Sequence, residues 1–189
     1  MASYKKIINQ HLAAQIDIEE HFSAKIQEAL EEIREESFVD VKDLLIRIRE
    51  VLESNYTLLN KAMDKYDEPE PVQHNGHAGS GTNGAILDQA KSLEKKRSQV
   101  SRILRELYSD LNKITVANTQ LYTMGLAFKS EDVAELAMKH LEELAPLVIK
   151  VCEIVPEVIT RELKMDEPQI DITVAQKALA DTRILWKFS

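Results

Sequence analysis

Few residues of this chain have the type and spacing for chemistry, and the most suggestive lie inside apolar helical patterns. His140 falls on a stripe otherwise made of Val133, Ala137, Leu144, Leu147, Val151, Ile154 and Val158. Glu143 follows three residues later, giving His-x-x-Glu. Glu19 interrupts a second stripe, Ile8, Leu12, Phe22, Ile26 and Ile33, and Gln15 interrupts it one turn earlier. Asn55 interrupts a third and Asn118 a fourth. A polar group carried into a core must find partners there. Glu19, Asn55, Asn118 and His140 therefore predict one buried polar layer, either a hydrogen-bonded network or a small ligand site. Glu19, His140 and Glu143 are its candidate metal ligands, with Glu50 or Glu53 as further carboxylates.

The remaining reactive groups point to bland roles. Asp17 and His21 are four residues apart and share a helical face, but that face borders the apolar stripe and reads as solvated. His11 lies beside the same stripe and faces solvent. His74 and His77 form HxxH in a Gly-rich stretch, a pattern that binds stray metal weakly. The single cysteine, Cys152, sits among apolar residues. It reads as a small packing side chain, since no base is evident that would make it a nucleophile. There is no Gly-rich phosphate loop after a strand, no His-Glu-x-x-His and no cysteine metal cluster.

Helices must position these groups. Three- and four-residue apolar steps predict helices over about 5–34, 40–66, 85–127 and 131–163. Asp40, with Asp43 three residues on, is the expected cap of the second, and Ser130 of the fourth. The third helix is long enough to bend or break near Ile114-Thr115-Val116. Pro146 and Pro156 each remove a hydrogen bond in the fourth and predict kinks or a split. A weaker pattern over 173–187 predicts a last helix, after an acidic linker at 164–171. Residues 67–84, DEPEPVQHNGHAGSGTNG, hold two prolines and four of the five glycines. They predict a flexible crossover long enough to return along a whole helix. The domain is thus 1–165, with 166–189 as an appendage packed on it or on a partner.

Composition narrows the function classes. In 189 residues the formal net charge is −8, against a nucleic-acid-binding role. The basic run Lys95, Lys96, Arg97 is short and reads as a solvated face. No run is long and apolar enough to span a bilayer, and the start MASYKKIINQH lacks the apolar core of a secretory signal. The expectation is a cytoplasmic protein with no membrane and no nucleic-acid partner.

The halves echo each other at an offset of 92 residues: Asp40-Val41-Lys42-Asp43-Leu44 falls on Asp132-Val133-Ala134-Glu135-Leu136, Glu50 on Glu142 and Leu52 on Leu144. Helices one and two, and three and four, then form two equivalent αα-hairpins. Two long hairpins joined by a long crossover resemble the ferritin-like fold. The stretch LYSDLNKITVANTQLYTMGLAFKSEDVAELAMKHLEELAPLV, residues 107–148, is similar to helical stretches of bacterial ferritin-like proteins of unassigned role. The resemblance covers about 1–163. It implies an all-α, up-down four-helix bundle with a long crossover, here with an added C-terminal helix. It also implies a di-iron site built from one Glu on each of two helices and a Glu-x-x-His pair on each of the other two. This chain departs from that pattern, since Glu-x-x-His occurs nowhere. The family's ligands do not carry over residue by residue.

The expected function is therefore that of a non-enzymatic helical bundle acting through self-association, as a homodimer, or through a protein partner. The run Ile184-Leu185-Trp186-Lys187-Phe188 supports it, because four large apolar residues in five need cover. No cofactor is expected. The alternative is a divergent ferritin-like metal-binding protein or oxidoreductase holding iron or manganese. A third, weaker expectation is a small-molecule sensor bundle opened at the prolines.

Overall fold

A computed structural model describes residues 4–33, 36–66 and 99–183. Five α-helices make up the described chain: α1 (Tyr4–Glu32), α2 (Val39–Tyr66), α3 (Gln99–Ala127), α4 (Glu131–Asp166) and α5 (Thr173–Arg183), with a 3-10 turn at Glu36–Phe38. Each long helix presents the apolar stripe its sequence implies. Ile8, Leu12, Phe22 and Ile26 are buried on α1, Val41, Leu45, Ile48, Leu52 and Leu59 on α2. Burial of these stripes, at about 25 cal/mol per Å2 of apolar surface, is what stabilises helices of this length.

The four long helices form a bundle of two αα-hairpins, α1/α2 and α3/α4. Across the bundle α1 also packs on α3 and α2 on α4, so α1/α4 and α2/α3 lie on the diagonals. Direction follows from the core. One apolar cluster joins the C-terminal part of α1, the N-terminal parts of α2 and α3, and the C-terminal half of α4. The other joins Ile8, Leu12, Ile16, Leu59, Tyr66, Leu121, Val133 and Ala137 from the opposite ends. Hence α1 runs parallel to α4 and α2 parallel to α3. Tyr66 and Gln99, between which the chain is not described, stand at opposite ends of the bundle.

Several sequence expectations need correction. The fourth helix is not split; α4 is continuous from Glu131 to Asp166 with Pro146 and Pro156 inside it. Neither proline is on the buried stripe, and Leu144, Leu147, Val151, Ile154 and Val158 are buried on either side of them. That packing outweighs the roughly 3 kcal/mol an interior proline costs. The helix also outlasts its expected end at 163 by three residues. The third helix does not break at Ile114-Thr115-Val116; Thr115 instead donates its hydroxyl to the Leu111 carbonyl (2.8 Å), and Ile114 is fully buried. Asp40 is no cap. It lies within the first turn of α2, and its carboxylate receives Arg161 of α4 (2.7 Å). Ser130 stands at the N-cap position of α4 without a side-chain cap bond.

Two contacts close the bundle ends. Arg161 also donates to the Ser37 carbonyl (2.6 Å) and lies over the Phe38 ring, tying α4 to the α1/α2 turn. The buried Glu162 carboxylate accepts the Val100 and Ser101 amides (2.8 and 3.0 Å), capping the first turn of α3 from a neighbouring helix. At the α3/α4 turn the backbones nearly touch: a Cβ on Gly125 would lie 2.6 Å from the Ala134 nitrogen. α5 returns along α4, held by Arg183 to Glu153 (3.2 Å). No described helix is long and apolar enough to cross a membrane. The crossover 67–84 with His74 and His77, the basic run at 95–97, the first part of the third helix and the Ile184–Phe188 run all lie outside the described residues.

Candidate functional site

The gap between the two apolar clusters is polar. On α1 it falls between Ile16 and Phe22, on α2 between Leu52 and Leu59, on α3 between Ile114 and Leu121, and on α4 between Ala137 and Leu144. Glu19, Asn55, Asn118 and His140 occupy those four intervals. Asn55, Asn118 and His140 have no solvent exposure and Glu19 has 1%. Four helices thus carry a polar residue at one level of the core, Glu19 and His140 on one diagonal, Asn55 and Asn118 on the other.

Gln15 is a fifth member that the candidate set lacked. It is buried, and its Nε2 donates to Glu19 Oε1 (2.6 Å). Its i,i+4 spacing from Glu19 on the same stripe was the available signal. Glu143, one turn on from His140, is half-buried, with Oε1 3.9 Å from Lys139 and a buried Oε2 that has no partner among the described residues. Glu50 and Glu53 are exposed, as are Asp17, His21 and His11. Cys152 is half-buried, not fully buried, and lines a groove of about 380 Å3 between α3 and α4 with Tyr108 and Val155.

The hydrogen bonding of the layer is incomplete. Asn118 Nδ2 donates to the Ile114 carbonyl of its own helix (3.1 Å). Gln15 Oε1, Glu19 Oε2, both amide atoms of Asn55, Asn118 Oδ1 and both ring nitrogens of His140 have no partner among the described residues. Each such atom costs about 1–3 kcal/mol when left bare. Burial sets the protonation. It pushes the Glu19 carboxyl up to about 7, against the pull of the Gln15 and Asn118 amides beside it. It pushes His140 down to about 4, with the Lys139 charge adding to the effect. The imidazole is therefore neutral at neutral pH, with one nitrogen free to accept and one to donate.

The level does not hold a ferritin-type dinuclear set. That set needs four carboxylates and two imidazoles; here Glu19 is the one carboxylate and His140 the one imidazole, while α2 and α3 supply amides. Among the described residues no three His, Cys, Asp or Glu side chains come together as a metal-holding group. What the arrangement can do is hold something small by hydrogen bonds or by coordination through oxygen. The larger hollows are elsewhere; one of about 630 Å3 lies against the α3/α4 turn, lined by Tyr122, Gly125, Met138 and others outside the layer. No family model, curated protein or solved structure matches this chain.

Proposed function

We propose that this protein is a non-enzymatic binding bundle, ferritin-like in connectivity, that holds a small polar ligand or ion in the layer of Gln15, Glu19, Asn55, Asn118 and His140. One observation carries the reading: seven buried side-chain atoms at or next to one level of the core lack partners. A purely structural network would close on itself, because half-satisfied buried polar groups destabilise a fold relative to apolar ones. The parallel course of α2 and α3 supports the ferritin-like connectivity, since their connection joins opposite bundle ends. Native mass spectrometry of protein purified without chelator tests the reading. The expected result is a small mass excess that is released on unfolding. The mass of the bare chain alone would leave water as the only occupant and sink it.

A second reading, self-association or a protein partner, is favoured by one surface. Ile159, Leu163 and Met165 on α4 and Ile172 and Val174 at the start of α5 are all large, apolar and at least two-fifths exposed. Sedimentation equilibrium tests the self-association. A dimer that Leu163→Lys converts to monomer supports it; a monomer at about 100 μM, where an interface of even modest affinity would be populated, rejects self-association.

A further inference from the structure

We propose that the segment Ile184–Phe188 of this chain docks in the apolar groove between α3 and α4 and covers Cys152 there. The inference concerns a second surface and does not rest on the polar layer.

The groove has a volume of about 380 Å3. Leu104 and Tyr108 line it from α3, and Val151, Val155 and Ile159 from α4. Leu104 and Val151 are fully buried at its base, while Ile159 is 42% exposed at its rim. Cys152 is half-buried beside them. A trough lined this way is stabilised by an apolar occupant that displaces water from it. Arg102 and Arg105 on the α3 side add guanidinium planes, which favour an aromatic face.

The course of the chain identifies the occupant. α5 returns along α4, and its last turn stands beside the groove. Thr182 lines it, and Arg183 pairs with Glu153, the neighbour of Cys152 (3.2 Å). The sequence then continues Ile184-Leu185-Trp186-Lys187-Phe188, four large apolar residues in five. Reach allows the contact. On α4 the groove runs from Val151 to Ile159, about 12 Å of helix. Trp186 is four residues beyond Thr182, a span of about 6 Å as helix and about 14 Å extended. Spacing agrees as well. Ala175, Ala178 and Leu179 are the covered residues of α5. Trp186 follows Leu179 by seven residues and Thr182 by four, steps that keep one helical face. Tethering favours this segment over the same run of a second copy. A segment held so close to its site has an effective concentration in the mM range, roughly, before any new contact is counted.

The test uses two built-in reporters, because Trp186 is the one tryptophan and Cys152 the one cysteine of the chain. In the full chain, Trp186 emission should be blue-shifted from that of free tryptophan, and Cys152 should react slowly with an aromatic disulfide reagent. Replacing Leu185→Ser together with Trp186→Ser should speed the Cys152 reaction about tenfold, as the thiol gains exposure. Val155→Lys, placed in the groove itself, should move Trp186 emission to the red. Circular dichroism checks that each variant keeps its helices; should Val155→Lys fail to fold, the double-serine variant decides alone. A Cys152 rate unchanged by the double substitution, or Trp186 emission unmoved by Val155→Lys, would overturn the inference. A wild-type Cys152 rate that rises on dilution from about 100 to about 1 μM would put a second copy's run in the groove and overturn it too.

Discussion

The layer at mid-bundle and the polar cluster at one bundle end use similar residues to opposite effect. At the end, the Tyr66 hydroxyl on α2 and the Ser130 hydroxyl touch each other, and both donate to Asp132 Oδ1 (2.8 Å each). The Val133 amide donates to the same oxygen (3.0 Å), and Lys65 approaches Oδ2 at 3.6 Å. Although burial opposes it, these bonds from Tyr66 and Ser130 hold the Asp132 carboxyl below its ordinary range. Each side chain of the cluster has a partner within it, the cluster is half open to water, and it staples α2 to the α3/α4 turn. At mid-bundle the groups are fully buried and unmatched. A polar cluster that satisfies itself is structural. The mid-bundle layer instead leaves seven buried side-chain atoms without a partner among the described residues.

The sharpest way to break the comparison is through pH, because the layer's two titrating groups pull in opposite directions. In the metal-free chain Glu19 titrates near 7 when folded and near 4.5 when unfolded. Its contribution is fully present below 4.5 and is lost as pH rises to 7. His140 titrates near 4 when folded and 6.5 when unfolded. Its contribution is present above 6.5 and is lost as pH falls to 4. Each is worth about 3 kcal/mol across its window, and between 4.5 and 6.5 they nearly cancel. Urea unfolding of the metal-stripped protein should therefore show opposite departures from wild type. Glu19→Gln should gain on wild type by about 3 kcal/mol between pH 4.5 and 7. His140→Gln should gain by a similar amount as pH falls from 6.5 to 4. Parallel curves for all three proteins would show that neither group is buried as described.

Apolar substitution sharpens the contrast at fixed pH. Asn55→Leu removes two unpartnered atoms and fills the same space, so metal-free stability should rise by about 1–3 kcal/mol. Tyr66→Phe in the closed cluster removes a satisfied donor and should cost about 1 kcal/mol. Chemical denaturation of both variants reads the two signs; a loss at Asn55 as large as at Tyr66 would mean the layer is already satisfied. The smallest effects belong to the turn that carries the closed cluster. Lys129 holds φ 56°, the left-handed region. Lys129→Gly should raise Tm slightly, by less than about 1 kcal/mol of stability, since glycine occupies that region freely.

Much of the site could be read from the helical period. Glu19, Asn55, Asn118 and His140 interrupt apolar stripes, and a residue on a stripe goes where the stripe goes. The same rule kept Asp17, His21 and His11 at the surface. Glu143, one position off the stripe of α4, is half-buried, and its Oε2 is buried without a partner among the described residues. The rule did not reach the end cluster at all. Tyr66, Ser130 and Asp132 are 64 and 66 residues apart in sequence and meet only because α2 ends where α4 begins.

What the sequence determined by itself is local: which segments are helical, which face of each is apolar, and which polar residues those faces carry inward. Period and propensity act within a few turns, so they are legible in a single chain. The tertiary structure decided the rest. It set α2 parallel to α3, brought four interruptions to one level, and carried α4 unbroken through two prolines because their neighbours pack on both sides. It also decided that Glu162 caps a distant helix and that the layer's polar groups are buried without a full set of partners among the described residues. Those outcomes depend on the axial register of helices against one another. That register is set by the sum of all side-chain contacts in two apolar clusters, and no local pattern encodes it.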